Sequence, residues 1–129
     1  MRALFLLAAA ASISACAFQE ARDYRIVNAD SRDSAKLIRI SRQVAAESGL
    51  PQAGAPGDKM PGFYRSDKVM LNANRRGNDI EIELSRFDSP APHAYTRAET
   101  LLTSGLSKAF GRKLTISPPH PVERVLVTE

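Results

Sequence analysis

The stretch Val69-Met70-Leu71-Asn72-Ala73-Asn74-Arg75-Arg76-Gly77-Asn78-Asp79-Ile80-Glu81-Ile82-Glu83-Leu84 decides how this chain folds. Val69, Leu71 and Ala73 alternate with Lys68, Met70 and Asn72, and Ile80, Ile82 and Leu84 alternate with Asp79, Glu81 and Glu83. A period of two puts the apolar set of each arm on one face, so both arms read as half-buried strands. Between them, Asn74-Arg75-Arg76-Gly77-Asn78 holds the residue types of a tight turn. An antiparallel hairpin with one apolar face needs something to cover that face.

Two amphipathic helices supply the cover. Upstream, Asp30 and Ser31 offer capping oxygens, and Asp33 places a negative charge in the first turn of a helix spanning Ser31–Ser48. Gly49, Leu50 and Pro51 form its stop signal. Leu37, Ile40, Ser41, Val44, Ala45 and Ser48 fall on one side of this helix, and Arg32, Lys36, Arg39 and Gln43 on the other. Downstream, the second helix spans His93–Phe110, with Tyr95, Ala98, Leu102, Leu106 and Ala109 on its apolar face. Gly105 shares that face, which suggests close approach to a sheet, and Gly111 ends the helix.

The remaining elements are weaker. Residues 24–28, with Ile26-Val27 at their centre, read as a short strand. Residues 51–66 read as a long loop rich in Pro and Gly that ends in Phe63-Tyr64-Arg65; ordered loops of such length are often functional. Leu114 and Ile116 mark a further strand. Pro118-Pro119-His120-Pro121 interrupts it, and residues 122–128 resume extended structure.

With strand, helix, strand, strand, helix, strand, the chain reads as α+β: a two-layer sandwich of two helices on an antiparallel sheet. The order matches the split, ferredoxin-like arrangement (βαββαβ). If residues 24–28 are not a strand, the layers stay the same. A chain of 129 residues, 43% hydrophobic, has room for one ordinary domain and no more.

The front of the chain carries a different kind of signal. Arg2 precedes an apolar run over residues 3–11, and small residues follow. A basic start, a short apolar middle and small residues before a cut are the order of a secretory leader. The run is too short to span a bilayer, which takes about 20 residues. Its last residues, Ile13-Ser14-Ala15-Cys16, resemble the lipobox of bacterial lipoproteins, and Cys16 is the single cysteine of the chain. The resemblance implies a leader over residues 1–15, a diacylglycerol thioether on Cys16 and an acylated new N-terminus. Its chemistry suits a thiolate nucleophile, and several acyl chains hold a protein where one does so only marginally. Ala17, a residue other than Asp after the cysteine, implies sorting to the outer membrane. A-x-A cleavage around Ala15-Cys16-Ala17, releasing a soluble periplasmic protein, is the competing reading. Residues 16–23 then form a lipidated tether reaching at most about 25 Å, and residues 24–129 form the domain.

Charge and motif narrow the function. The 18 Lys and Arg against 14 Asp and Glu make a mildly basic, mixed surface, not a nucleic-acid-coating tail. No basic strand carries interleaved aromatics, and Gly54-Ala55-Pro56-Gly57 lacks the ending of a phosphate loop. His93 and His120 both neighbour prolines and have no partner fixed by spacing, so they read as surface histidines rather than catalytic or metal-binding ones. Glu81 and Glu83 read as the solvated face of a strand. No cofactor and no metal are expected.

The expected contact points are the basic ridge Arg32, Lys36, Arg39, the pair Phe63 and Tyr64, and the hairpin tip Arg75, Arg76, each weighed against an ordinary solvated helix face, packing cluster or turn. The expectation is a non-enzymatic, lipid-anchored binding or assembly module at the periplasmic face of the outer membrane. Its partners are the membrane, through the anchor, and an envelope protein. The alternative is a small ligand-binding protein or enzyme with its site under residues 51–66.

Overall fold

The structure, a computed structural model, describes residues 20–87 and 91–121. Strand β1 (Glu20–Ile26) leads into helix α1 (Ser31–Ser48). Strands β2 (Gly62–Arg65), β3 (Val69–Arg76) and β4 (Asp79–Arg86) follow, then helix α2 (His93–Phe110) and the short strands β5 (Leu114–Ile116) and β6 (His120–Pro121). The expected strand over residues 122–128 lies outside the described residues, as do Cys16 and the leader.

Among the described residues the sheet is six-stranded, ordered β2-β3-β4-β1-β5, with β6 also paired to β1. Every pairing is antiparallel. The class is α+β, with both helices packed on one sheet face. Tyr24, Ile26, Leu71, Ile80, Ile82 and Leu84 meet Leu37, Val44, Ala98, Leu102 and Leu106 in one buried cluster.

The ferredoxin-like order is not what forms. In the βαββαβ order two strands lie between the two helices. Here Gly62–Arg65, read as the end of a loop, is itself strand β2 and pairs with β3 from Gly62↔Ala73 to Arg65↔Met70. Three strands rather than two therefore lie between the helices, and β4 pairs antiparallel with β1, in register from Glu20↔Arg86 to Ile26↔Ile80. β1 also begins four residues earlier than the apolar pattern suggests. Its charged residues have partners: Arg22 faces Glu99 at 3.6 Å and Glu20 faces Arg86 at 3.1 Å.

The helix boundaries match the sequence signals. Asp30 caps α1 by accepting from the Asp33 N–H, and the Asp33 carboxylate accepts from the Asp30 N–H, a reciprocal capping box. Gly49 takes the left-handed conformation at φ 71°, and the Leu50 N–H donates to the Ala45 carbonyl at 2.8 Å. That arrangement satisfies the orphan carbonyls of the last turn. The hairpin turn is tighter than the five residues read for it, because β3 and β4 stay paired out to Arg76↔Asp79.

Gly105 allows a close approach, but to α1 rather than to the sheet: a Cβ there would lie 3.2 Å from Ile40 Cγ2. Ile40 is accordingly half-buried at the seam between the helices.

Candidate functional surfaces

The sandwich presents two faces to its surroundings. The first is the outer side of the helix layer. The second is the side of the sheet turned away from the helices.

On the helix side, Arg32, Lys36 and Arg39 are exposed along α1, as their spacing predicts. The structure adds a cation from the other helix. Lys36, Arg39 and Ile40 of α1 and Gly105, Lys108 and Ala109 of α2 line one shallow groove of about 420 Å³. Ile40, Gly105 and Ala109 make an apolar floor, and three cations stand around it. Lys36, Arg39 and Lys108 form no ion pair among the described residues. Lys36 sits within electrostatic reach of Asp33, but that carboxylate is taken by Lys113 at 2.7 Å. Burial disfavours the charge on Asp33. The hydrogen bonds from Lys113 and the Asp30 N–H outweigh burial and hold its pKa below the ordinary value.

The loop aromatics are drawn inward rather than displayed. Tyr64 is 3% exposed, on the helix side of β2, and belongs to the core. Phe63 is half-buried beneath the loop, where a Cβ on Gly54 would lie 3.3 Å from its ring. The loop runs along the sheet edge. The Ala53 N–H donates to the Phe63 carbonyl at 2.8 Å, and the Arg65 N–H to the Pro51 carbonyl at 2.9 Å. It thereby covers one flank of β2, an exposed edge being a template for unwanted pairing.

The two arginines of the hairpin part company. The alternation Val69, Leu71, Ala73 continues to Arg75, whose side chain turns to the helix side. There Nη1 donates to the Ala29 carbonyl at 2.9 Å and Nη2 to Ser34 Oγ at 2.7 Å. Arg75 is a clamp between the hairpin and the start of α1. Arg76, on the other face and exposed, meets Glu81 at 3.3 Å.

The open face of the sheet holds a polar concavity of about 450 Å³, lined by Asp23, Arg25, Asn72, Asn74, Arg76, Glu81 and Glu83 among others. Its charges are matched internally. Arg25 reaches Asp79 at 3.2 Å and Glu81 at 3.5 Å. Asp23 stands directly across from Glu83, a like-charge pair that is unfavourable without a counterion. His120 supplies one, with Nε2 2.5 Å from Asp23 Oδ2. That hydrogen bond, aided by the Pro121 carbonyl against Nδ1, raises the His120 pKa above its ordinary value. His120 therefore lies in β6 as a structural counterion. With Nδ1 against its own chain, the ring has no nitrogen left to activate a nucleophile. His93 is exposed at the start of α2.

Among the described residues, no group of three or more His, Cys, Asp or Glu gathers as a metal centre. No helix among them is long and apolar enough to cross a membrane. No protein-family model matches the chain, and no curated protein is significantly similar to it. Geometry and the sequence motifs therefore carry the functional reading.

Sequence reasoning missed Lys108 and the groove it completes. The signal was available, since Ser104 and Lys108 lie four residues apart on the outer side of α2. It also missed the pairing of Asp23 with His120, which are far apart in the chain.

Proposed function

We propose that this protein is a lipid-anchored, non-enzymatic binding or assembly module at the periplasmic face of the bacterial outer membrane. The observation that carries the reading is Ile13-Ser14-Ala15-Cys16, with the chain's single cysteine at the position a lipobox requires. The early start of β1 supports it. With Glu20 already in the sheet, the leash from Cys16 reaches at most about 14 Å, so the domain works against the membrane that holds it. Charge supports it too: the cations around the helix groove are not consumed by internal pairs, whereas those of the open sheet face are.

Metabolic labelling with radioactive palmitate tests this reading. Wild-type protein takes up label and partitions with membranes. Cys16→Ser takes up none and leaves the membrane fraction.

A second reading has one observation behind it. The polar concavity on the open sheet face is of the size that holds a small ligand, and it lies elsewhere than the site expected beneath residues 51–66. Its arginines are already ion-paired, so a ligand there must displace existing contacts. Saturable binding of a small polar molecule, abolished by Asn72→Leu and Asn74→Leu, would favour this reading.

A further inference from the structure

The geometry points to the groove between α1 and α2 as the docking site for an acidic amphipathic helix of a protein partner. The inference deepens the binding-module reading, and its choice between a protein and a lipid occupant rests on the anchor at Cys16.

The groove has two chemistries in one place. Its floor is small and apolar, formed by Ile40, Gly105 and Ala109. Gly105 lets the two helices close to contact, with a Cβ position only 3.2 Å from Ile40. A helix laid on this seam packs small side chains against the floor, in the helix-in-groove mode. The rim is Lys36 and Arg39, three residues apart on α1, with Lys108 across from them on α2. Three cations without ion-pair partners call for an anionic occupant. Carboxylates three or four residues apart on one face of a helix match that spacing. Arg32, one turn before Lys36, extends the same row.

The occupant is a protein rather than the headgroups of the anchoring leaflet for a reason of reach. Glu20 pairs with Arg86, and the Arg86 guanidinium lies 5.7 Å from the Tyr95 ring, so the anchor end of β1 sits by the first turn of α2. Lys108 is further along α2 by about 20 Å at 1.5 Å per residue. A domain standing on its anchor end holds the groove well beyond a Debye length of about 8 Å from the lipid surface. A domain lying on its helices must pass the leash across a helix layer about 10 Å thick, which consumes most of a reach of about 14 Å. The groove is best placed to face outward.

The test uses the full-length protein in its own cells. A photocrosslinking amino acid replaces Ala109 in the groove, and Thr115 on β5 as the control position. Adducts are sequenced by mass spectrometry, and the Cys16 peptide is read from the same sample. The expected result is an adduct from position 109, and not from 115, to a polypeptide segment carrying carboxylates at helical spacing. Lys36→Glu with Lys108→Glu should lower its yield by about tenfold or more, since like charges across an interface are strongly unfavourable. Adducts to lipid, to a second copy of this chain or to a segment without carboxylates overturn the proposal. So does the absence of any adduct from position 109, or a yield untouched by charge reversal. A bare Cys16 beside an intact, charge-dependent adduct removes the anchor and leaves the groove, so the two failures are distinguishable.

Discussion

Lys113 Nζ lies 2.7 Å from Asp33 Oδ2 and 3.2 Å from the Asn28 carbonyl, tying the turn after α2 to the start of α1. The same Asp33 carboxylate accepts the Asp30 N–H at 3.1 Å. One side chain thus closes the capping box of α1 and receives the cation that follows α2. Because the folded pKa of Asp33 is depressed, its contribution is present above the unfolded carboxylate value. That contribution is lost as pH falls through the folded value. Denaturant midpoints should therefore decline in acid for the wild type and decline less steeply for Asp33→Asn. Asp30→Ala, which removes the oxygen that accepts the Asp33 N–H, should cost about 1 kcal/mol at neutral pH.

Arg75 and Arg76 are adjacent in sequence and opposite in role. Arg75 loses two hydrogen bonds from a largely buried guanidinium when truncated. Arg75→Ala should cost about 2 kcal/mol in urea unfolding, and Arg75→Lys should restore only part of it, lacking the planar fork. Arg76→Ala should stay within about 0.5 kcal/mol, as exposed ion pairs do. Equal effects of the two substitutions would contradict the inward clamp.

Gly105 sits inside a helix, where alanine gains about 1 kcal/mol of propensity. Its Cβ would crowd Ile40 Cγ2 at 3.2 Å. Gly105→Ala alone should therefore gain little or nothing, and Gly105→Val should destabilise. In an Ile40→Ala background the Gly105→Ala gain should appear, a non-additivity that a double-mutant cycle measures directly.

His120 faces the Asp23 carboxylate and the Pro121 carbonyl, with the Glu83 charge nearby. Its raised folded pKa means that the stabilisation is fully present below the unfolded value of about 6.5. The stabilisation fades as pH rises through the folded value. Proton NMR should show a His120 midpoint above the ordinary histidine value of about 6.5, and Asp23→Asn should bring it down. An unchanged midpoint would remove the counterion role.

What the sequence makes legible follows from where physics is local. Both helices and their ends are written in short-range signals: the Asp30–Asp33 box, the Gly49-Leu50 stop and the apolar spacing. The hairpin strands are written in alternation. Strand β2 is not legible because Gly62-Phe63-Tyr64-Arg65 is short and flanked by a run of Pro and Gly. Its identity as a strand depends on Ala73 and Leu71 lying beside it, a tertiary fact. The start of β1 is hidden because Glu20 and Arg22 look like linker until Arg86 and Glu99 arrive to neutralise them. Arg75 reads as a turn residue by composition, although the alternation starting at Val69 already assigned it to the inner face. The groove was half visible: the α1 ridge is periodic, but its completion by Lys108 needs the helix pair in contact at Gly105.

The most direct measurement is the mass of the N-terminal peptide of the protein isolated from its own cell membranes. Lipid anchoring predicts a mature chain that begins at Cys16 and carries a diacylglycerol thioether and an amide-linked acyl chain. A chain that retains residues 1–15, or one in which Cys16 bears a free thiol, would contradict it.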